Sequence, residues 1–295
     1  MSGYKSGFVS IVGRPNVGKS TLLNGILGEK VAAVSPKPQT TRTRVTGVVT
    51  DDAAQIVFVD TPGIHEPKNK LGKFMVQQAE RGAGDSDVML YMIDASRGGA
   101  ATDGAALGTL NAPCVFLVVN KTDKTDKPAL LPIIAEFSHL RDFAEILPVS
   151  ALRGDGVGEL VETIKKYLPE GPKFFPDDTL TDQPERQICG EFVREKMLRL
   201  LDDEIPYGTA VVVEEMTFDA KKPLTSVSAV IYCERESHKA IIIGKNGAML
   251  KKIGAAARRD MERFTGAQVF LRLWVKVQEN WRNSDVRLKN FGYRD

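Results

Sequence analysis

"GFVSIVGRPNVGKST", residues 7–21, decides the fold. An apolar run leads into Gly13-Arg14-Pro15-Asn16-Val17-Gly18-Lys19-Ser20, which matches G-x-x-x-x-G-K-[ST], and the chain continues into helix-forming "TLLNGIL". In a strand–turn–helix context, such glycines let backbone N–H groups curl around phosphate oxygens, and the helix N-terminus adds partial positive charge. Lys19 is placed to reach the β- and γ-phosphates, Ser20 to ligate Mg2+, and Thr21 to meet the α-phosphate.

Outward from this stretch, the apolar runs "AQIVFVD", "VMLYMID", "PCVFLVVN" and "FAEILPVSA" alternate with helical segments over 19–27, 71–83, 128–139 and 156–167. Runs rich in Val and Ile, apolar on both faces, suit parallel strands covered on both sides. The spacing predicts a doubly wound α/β domain over 1–170. Residues 171–185 carry prolines and acids and read as a linker. Residues 186–278 then read α-β-β-α-α-β, a smaller α+β domain, and 279–295 form a C-terminal tail.

Charge divides along the same line. The net charge of +2 hides 20 Lys/Arg against 23 Asp/Glu in residues 1–185, and 20 against 15 in the remainder. The basic surplus in the C-terminal part points to an anionic partner there. Cys114, Cys189 and Cys233 are far apart and form no C-x-x-C pair, so neither a disulfide framework nor a zinc site is expected. No secretory leader and no run of ~20 apolar residues is visible, so no transmembrane segment is expected.

Three further motifs follow the phosphate loop. In Asp60-Thr61-Pro62-Gly63, Asp60 is expected to hold Mg2+ and the Gly63 N–H to face the γ-phosphate. In "NKTD", Asp123 accepts from guanine N1–H and its 2-amino group, a donor pair that adenine lacks. Asn120 ties the base site to the phosphate loop, and the Lys121 stem covers the ring. In Ser150-Ala151-Leu152, the Ala151 N–H is placed for guanine O6. The polar stretch "SPKPQTTRTR", residues 35–44, reads as a mobile loop that closes on the metal through Thr41, with Thr40 the alternative. Lys19, Thr41 and Gly63 are therefore the candidate catalytic groups, and Ser20, Thr41 and Asp60 the metal ligands.

The second domain holds Gly244-Lys245-Asn246-Gly247 between two helical segments, inside a run, 239–259, with six Lys/Arg and no acid. Leu250, Ile253, Ala257, Met261 and Phe264 fall at helical spacing and are expected to face a sheet. Lys251 and Lys252 remain on other faces. This turn lets a nucleic-acid backbone approach Lys245 closely, and single-stranded RNA suits it better than a duplex. Trp274 and Trp281 read as packing residues, and His238 is placed near the RNA edge.

"GRPNVGKST", "QTTR", "DTPG", "NKTD" and "SAL" in this order resemble the translation-factor-related class of small GTPases. The segment 238–277 resembles a type II KH domain. The pairing, over essentially the whole chain, resembles the Era family of bacterial GTPases. The resemblance implies a doubly wound P-loop GTPase domain followed by a type II KH domain, with GTP or GDP and Mg2+ as ligands. It also implies binding near the 3′ end of 16S ribosomal RNA, a role in assembling the small ribosomal subunit, and a monomeric cytoplasmic protein in peripheral contact with the inner face of the membrane. Ras-type GTPases carry a water-orienting glutamine where this chain has Ile64; in this branch an apolar residue there is normal. In related GTPases an asparagine at the position of Asn16 helps to hold K+ beside the phosphates, which adds Asn16 to the candidate catalytic groups. The competing reading is a GTP-regulated RNA-binding module with little or no hydrolysis. An RNA-modifying enzyme would need a second chemical centre, for which the sequence offers no motif.

Overall fold

The computed structural model describes residues 3–63, 66–84, 86–97, 100, 103–104, 107 and 112–293; the side chains of 82 and 83 are not described. Ile64 and His65 lie outside the described residues. The chain divides into two compact units. The first comprises residues 1–32, 41–66 and 75–182, and the second comprises 33–40, 67–74 and 183–295.

In the first unit, six strands form one sheet in the order β2-β3-β1-β4-β5-β6. The strands are β1 (Lys5–Val12), β2 (Val45–Thr50), β3 (Ala54–Asp60), β4 (Val88–Asp94), β5 (Val115–Asn120) and β6 (Glu145–Pro148). All neighbours are parallel except β2, which runs antiparallel to β3. Alternation sends side chains to both faces. Val88, Leu90 and Met92 of β4 join a cluster with Leu22, Leu23, Leu160 and Ile164. Met89, Tyr91 and Ile93 join another with Leu117, Val119 and Phe137. The helices α1 (Lys19–Leu27), α3 (Lys127–Ser138) and α4 (Val157–Tyr167) supply the covering residues. A further helix, α2 (Lys70–Gly84), follows β3; its residues from 75 on belong to this unit and 70–74 to the second.

The sequence reading missed β2. Its short edge segment "VTGVVT" has a glycine at its centre, which weakens a strand pattern. A Cβ at Gly47 would lie 2.7 Å from Leu23 Cδ1, so the helix packs closely over this point of the strand. The proline-rich linker does not hang free either. The Val48 N–H donates to the Leu180 carbonyl at 2.9 Å, and Gln55 Nε2 donates to the Phe175 carbonyl at 2.8 Å.

In the second unit, β7 (Ala210–Asp219), β8 (Leu224–Cys233) and β9 (Gln268–Val277) form a sheet in that order. β7 and β8 are antiparallel and β8 and β9 parallel. The helices α5 (Glu185–Leu200), α6 (Glu236–Ile243) and α7 (Ala248–Thr265) complete the α-β-β-α-α-β order read from the sequence. Phe192, Met197, Ile253, Ala257 and Met261 meet Val227, Ala229 and Ile231 in one core. The segment set apart as a tail is built into this unit. Trp281 is fully buried and donates from Nε1 to the Gly208 carbonyl at 2.9 Å, Phe291 stacks on Tyr232 at 4.4 Å, and a short helix, α8 (Asp285–Asn290), contributes buried Leu288.

Candidate nucleotide and RNA sites

Parallel strands deliver their C-terminal ends to one edge, and ligands bind at that edge beside the strand where the winding reverses. That strand is β1, between β3 and β4. Register sets Ile11 beside Asp60, and Asp94 beside Asn120, so the loops after four strands converge.

The phosphate loop leaves β1. Gly18 has φ of 110°, and a Cβ there would meet Asn120 Nδ2 at 2.3 Å, so the position excludes any side chain. Asn16 also adopts a left-handed backbone, with φ of 67°. Lys19 Nζ donates to the carbonyls of Gly13 and Arg14, both at 3.0 Å, which curls the loop around its ammonium. Gly63 closes the rim from the other side: a Cβ there would sit 2.8 Å from Pro15 N.

Ser20, Thr41 and Asp60 come together as the sequence reading expects. Ser20 Oγ donates to Asp60 Oδ2 at 2.6 Å, Thr41 Oγ1 donates to the same oxygen at 3.2 Å, and the two hydroxyls are 2.8 Å apart. Asp60 is fully buried, and its Oδ1 has no hydrogen-bond partner. Such an orphaned carboxylate oxygen is costly. One carboxylate and two hydroxyls, all hard oxygen donors, fit Mg2+, which keeps most of its other sites for water and phosphate. Burial holds the Asp60 carboxyl above the usual carboxylate range, against the opposing pull of Lys19, Ser20, Thr41 and the Thr61 backbone N–H. Burial also pulls the Lys19 ammonium down to about 8, with Asp60 opposing. Both charges are held at a desolvation cost that a polyphosphate and a divalent cation would offset. Thr40 does not join this cluster; its Oγ1 donates to the Lys37 carbonyl at 2.6 Å.

At the base end, Asn120 Nδ2 donates to the Val17 carbonyl at 2.7 Å, so Asn120 does tie this site to the phosphate loop. Ser150 Oγ donates to Asp123 Oδ1 at 2.7 Å and fixes that carboxylate. The Ala151 N–H, the group expected to serve guanine O6, donates to Asn120 Oδ1 at 2.9 Å. Lys121, expected to cover a ring, donates from Nζ to the Asn16 carbonyl at 2.7 Å and to Asp94 Oδ2 at 2.6 Å. Asp94 is the residue that sequence reasoning missed. Burial pushes its carboxyl up, but the bonds from Lys121 and Ser96 outweigh it and leave the group below the usual carboxylate range. Its position at the end of a predicted strand, level with Asn120, was the available signal.

Residues 35–40 of the stretch read as a mobile loop belong, with 33 and 34, to the second unit. Buried Arg194 of α5 donates to the Gln39 carbonyl at 3.3 Å and to the Thr40 carbonyl, and pairs with Glu191. The Val34 N–H donates to Glu195 Oε2 at 3.0 Å. Thr41, the next residue, is in the first unit.

In the second unit, Gly244–Gly247 turns the chain between α6 and α7, with Asn246 at φ of 53°. Beside it lies a groove of about 520 Å³, walled by Gly247, Leu250, Lys251 and Arg258 on one side and by Phe270 and Leu273 of edge strand β9 on the other. Ile253, Ala257 and Met261 are fully buried, as the helical spacing predicts. Lys251 lines the groove, whereas exposed Lys252 does not. Arg258, one of the six basic residues of the run 239–259, also lines it. His238 is not at an edge: it is buried on α6. Trp281 packs as expected, but Trp274 is 45% exposed.

Residues 8–121 match the family described as 50S ribosome-binding GTPase, and residues 204–282 match the KH domain. A GTPase Era from Clostridioides difficile is 53% identical over 295 residues, covering 99% of each chain. The chain belongs to the Era family of GTPases. Era from Geobacter metallireducens is 50% identical over 98% of both chains. Two solved Era structures superpose with a TM-score of 0.94 at 44% identity, covering 99% of this chain and all of theirs. One is Era with MgGDPNP and nucleotides 1506–1542 of 16S ribosomal RNA; the other is an Aquifex aeolicus Era variant bound to GDP and aluminium fluoride.

Proposed function

We propose that this protein is a Mg2+-dependent GTPase whose KH unit binds 16S ribosomal RNA and assists assembly of the small subunit. The observation that carries the enzymatic part is the Ser20–Thr41–Asp60 cluster, with its unpartnered buried oxygen, beside the Lys19 loop. Asp123, oriented by Ser150, supplies guanine specificity. Support for the RNA comes from the Era relative solved with nucleotides 1506–1542, and from a groove bearing Lys251 and Arg258 beside the Gly244–Gly247 turn.

Mg2+ held at this cluster would supply positive charge to neutralise what develops on the phosphates in transfer. Ser20, Thr41 and Asp60 would hold it. Lys19 adds a fixed positive charge at the phosphates, and the Gly63 backbone N–H serves the γ-phosphate. Thr41 couples that chemistry to residues 33–40, so hydrolysis is read out as release of a loop. Asn16, in the phosphate loop, would supply a ligand to K+, which takes the part of an arginine finger; equal rates in Na+ and K+ would end that reading. Peripheral contact with a membrane and a monomeric state rest on family resemblance alone. No helix among the described residues is long and apolar enough to cross a membrane.

The test is steady-state phosphate release from GTP, with and without the RNA spanning 1506–1542. GTP-dependent turnover is expected, and slow turnover suffices for a switch. No turnover under any condition leaves the non-hydrolysing RNA-binding module.

A further inference from the structure

The connection between α1 and β2, residues 28–44, contains no helix or strand. Backbone groups buried in such a stretch need partners from side chains. Val31 and Ala32 are each 1% exposed and pack in the core with Leu22 and Leu23. Their partner is Asn24 of α1. Asn24 Oδ1 accepts from the Val31 N–H at 3.0 Å and from the Ala32 N–H at 2.9 Å, and Nδ2 donates to the Ala32 carbonyl at 2.9 Å. Both lone pairs of the amide oxygen are thereby used. By local propensity asparagine is a poor choice here. It stands inside α1 next to Gly25, and both are poor helix formers. Leucine or alanine would serve the helix better, and neither could hold Val31 and Ala32.

Asn24 is also one turn beyond Ser20, on the same face of α1. Ser20 meets Thr41 and Asp60 at the metal cluster. The first unit gives up the chain after Ala32 and regains it at Thr41. Both ends of the segment 33–40 are thus fixed to one helix, the outgoing end through Asn24 and the returning end through Ser20.

We propose that Asn24 is a positioning residue for the GTP-bound state. It holds Val31 and Ala32 on the phosphate-binding helix, confines the segment that must close to residues 33–40, and so favours Thr41 at the metal. Without this anchor the free segment runs from 29 to 40, and loop closure alone costs about twofold. Stranding the Val31 and Ala32 N–H groups displaces the root of the segment and raises the loss to about tenfold. GDP has no γ-phosphate for the loop to close on, needs no Thr41, and is spared. The proposal rests on the reading of Thr41 as a metal ligand.

The test uses the full chain with Mg2+ and either fluorescent GDP or a fluorescent non-hydrolysable GTP analogue. Asn24→Ala is expected to weaken the GTP analogue about tenfold and GDP by no more than about twofold. In a Thr41→Ala background, Asn24→Ala is expected to change neither, because its effect passes through Thr41. Hydrogen exchange at the Val31 and Ala32 amides, slow in wild type and fast in Asn24→Ala, reads the anchor without any nucleotide. If Asn24→Ala does not fold, Asn24→Asp carries the same comparisons with a smaller loss: it keeps the acceptor for both N–H groups and loses only the donor to Ala32. The anchor is refuted, while the metal cluster stands, if the variant weakens both nucleotides equally or neither, if its effect persists without Thr41, or if the two amides exchange alike in both proteins. If Thr41→Ala alone leaves the affinity for the GTP analogue unchanged, the reading of Thr41 fails and takes the anchor with it.

Discussion

Asp123→Asn should exchange the base that this protein prefers. Ser150 Oγ accepts from the Arg153 N–H at 3.3 Å, so its own proton goes to Asp123 Oδ1, 2.7 Å away. An asparagine at this position keeps its oxygen at that end and turns its amide nitrogen toward the base. One of the two guanine donors then loses a charged acceptor, which is worth about 1.5–3 kcal/mol, and faces another N–H, which adds about 1–3 kcal/mol for an unsatisfied polar group. The sum of about 2.5–6 kcal/mol weakens GDP and GTP by about two to four powers of ten, at about 1.4 kcal/mol for each tenfold. Xanthine carries an oxygen where guanine carries its 2-amino group, so xanthosine triphosphate gains the bond that guanine loses. Competition against a fluorescent nucleotide measures both affinities, and a thermal melt checks that the variant is folded. If Asp123→Asn keeps its GTP affinity within about tenfold and gains nothing for the xanthine nucleotide, Asp123 does not read the base.

Other outcomes follow from the same geometry. Burial raises the Asp60 carboxyl above its ordinary 3.8, so the folded state holds a proton that the unfolded state releases, and that contribution is lost as pH rises through the window above 3.8. In thermal melts without Mg2+, Asp60→Asn should therefore gain on wild type as pH rises above 3.8, whereas adding Mg2+ and GDP should stabilise wild type more. The Lys245→Ala/Lys251→Ala variant should lower the salt dependence of RNA affinity by about 0.7 for each phosphate that is no longer neutralised. Trp281→Ala empties a fully buried site and strands the Gly208 carbonyl, and should cost about 3–5 kcal/mol in denaturant unfolding.

The architecture was legible because its signals are local and redundant. Each parallel strand is apolar on both faces, and each functional loop follows a strand end, so β1, β3, β4, β5 and β6 and the nucleotide motifs support one another. What the sequence hid depends on tertiary partners. The β2 strand is an edge whose central Gly47 makes sense only beneath Leu23. Asp94 has no motif of its own, and its role appears when register sets it beside Asn120. Trp274 and Trp281 look alike in sequence; one closes a core and the other stands on an open sheet face, because only Tyr232 receives the C-terminal segment.

The polar groups of the nucleotide site explain which of its residues are scaffold and which are held for a ligand. Lys121 is engaged by Asn16 and Asp94, Asn120 by Val17 and Ala151, and Ser150 by Asp123. These bonds fix the phosphate loop against the base loop before any ligand arrives, so little ordering remains to be done on binding. Asp60 is different. Its Oδ2 takes both hydroxyls, and its Oδ1 is buried without a partner. A purely structural aspartate would gain from a donor at that oxygen, and a core position with no function would gain from an apolar residue. The carboxylate has neither; Lys19, the two hydroxyls and the Thr61 N–H offset part of its cost, and a divalent cation at the Ser20–Thr41–Asp60 cluster would offset the rest.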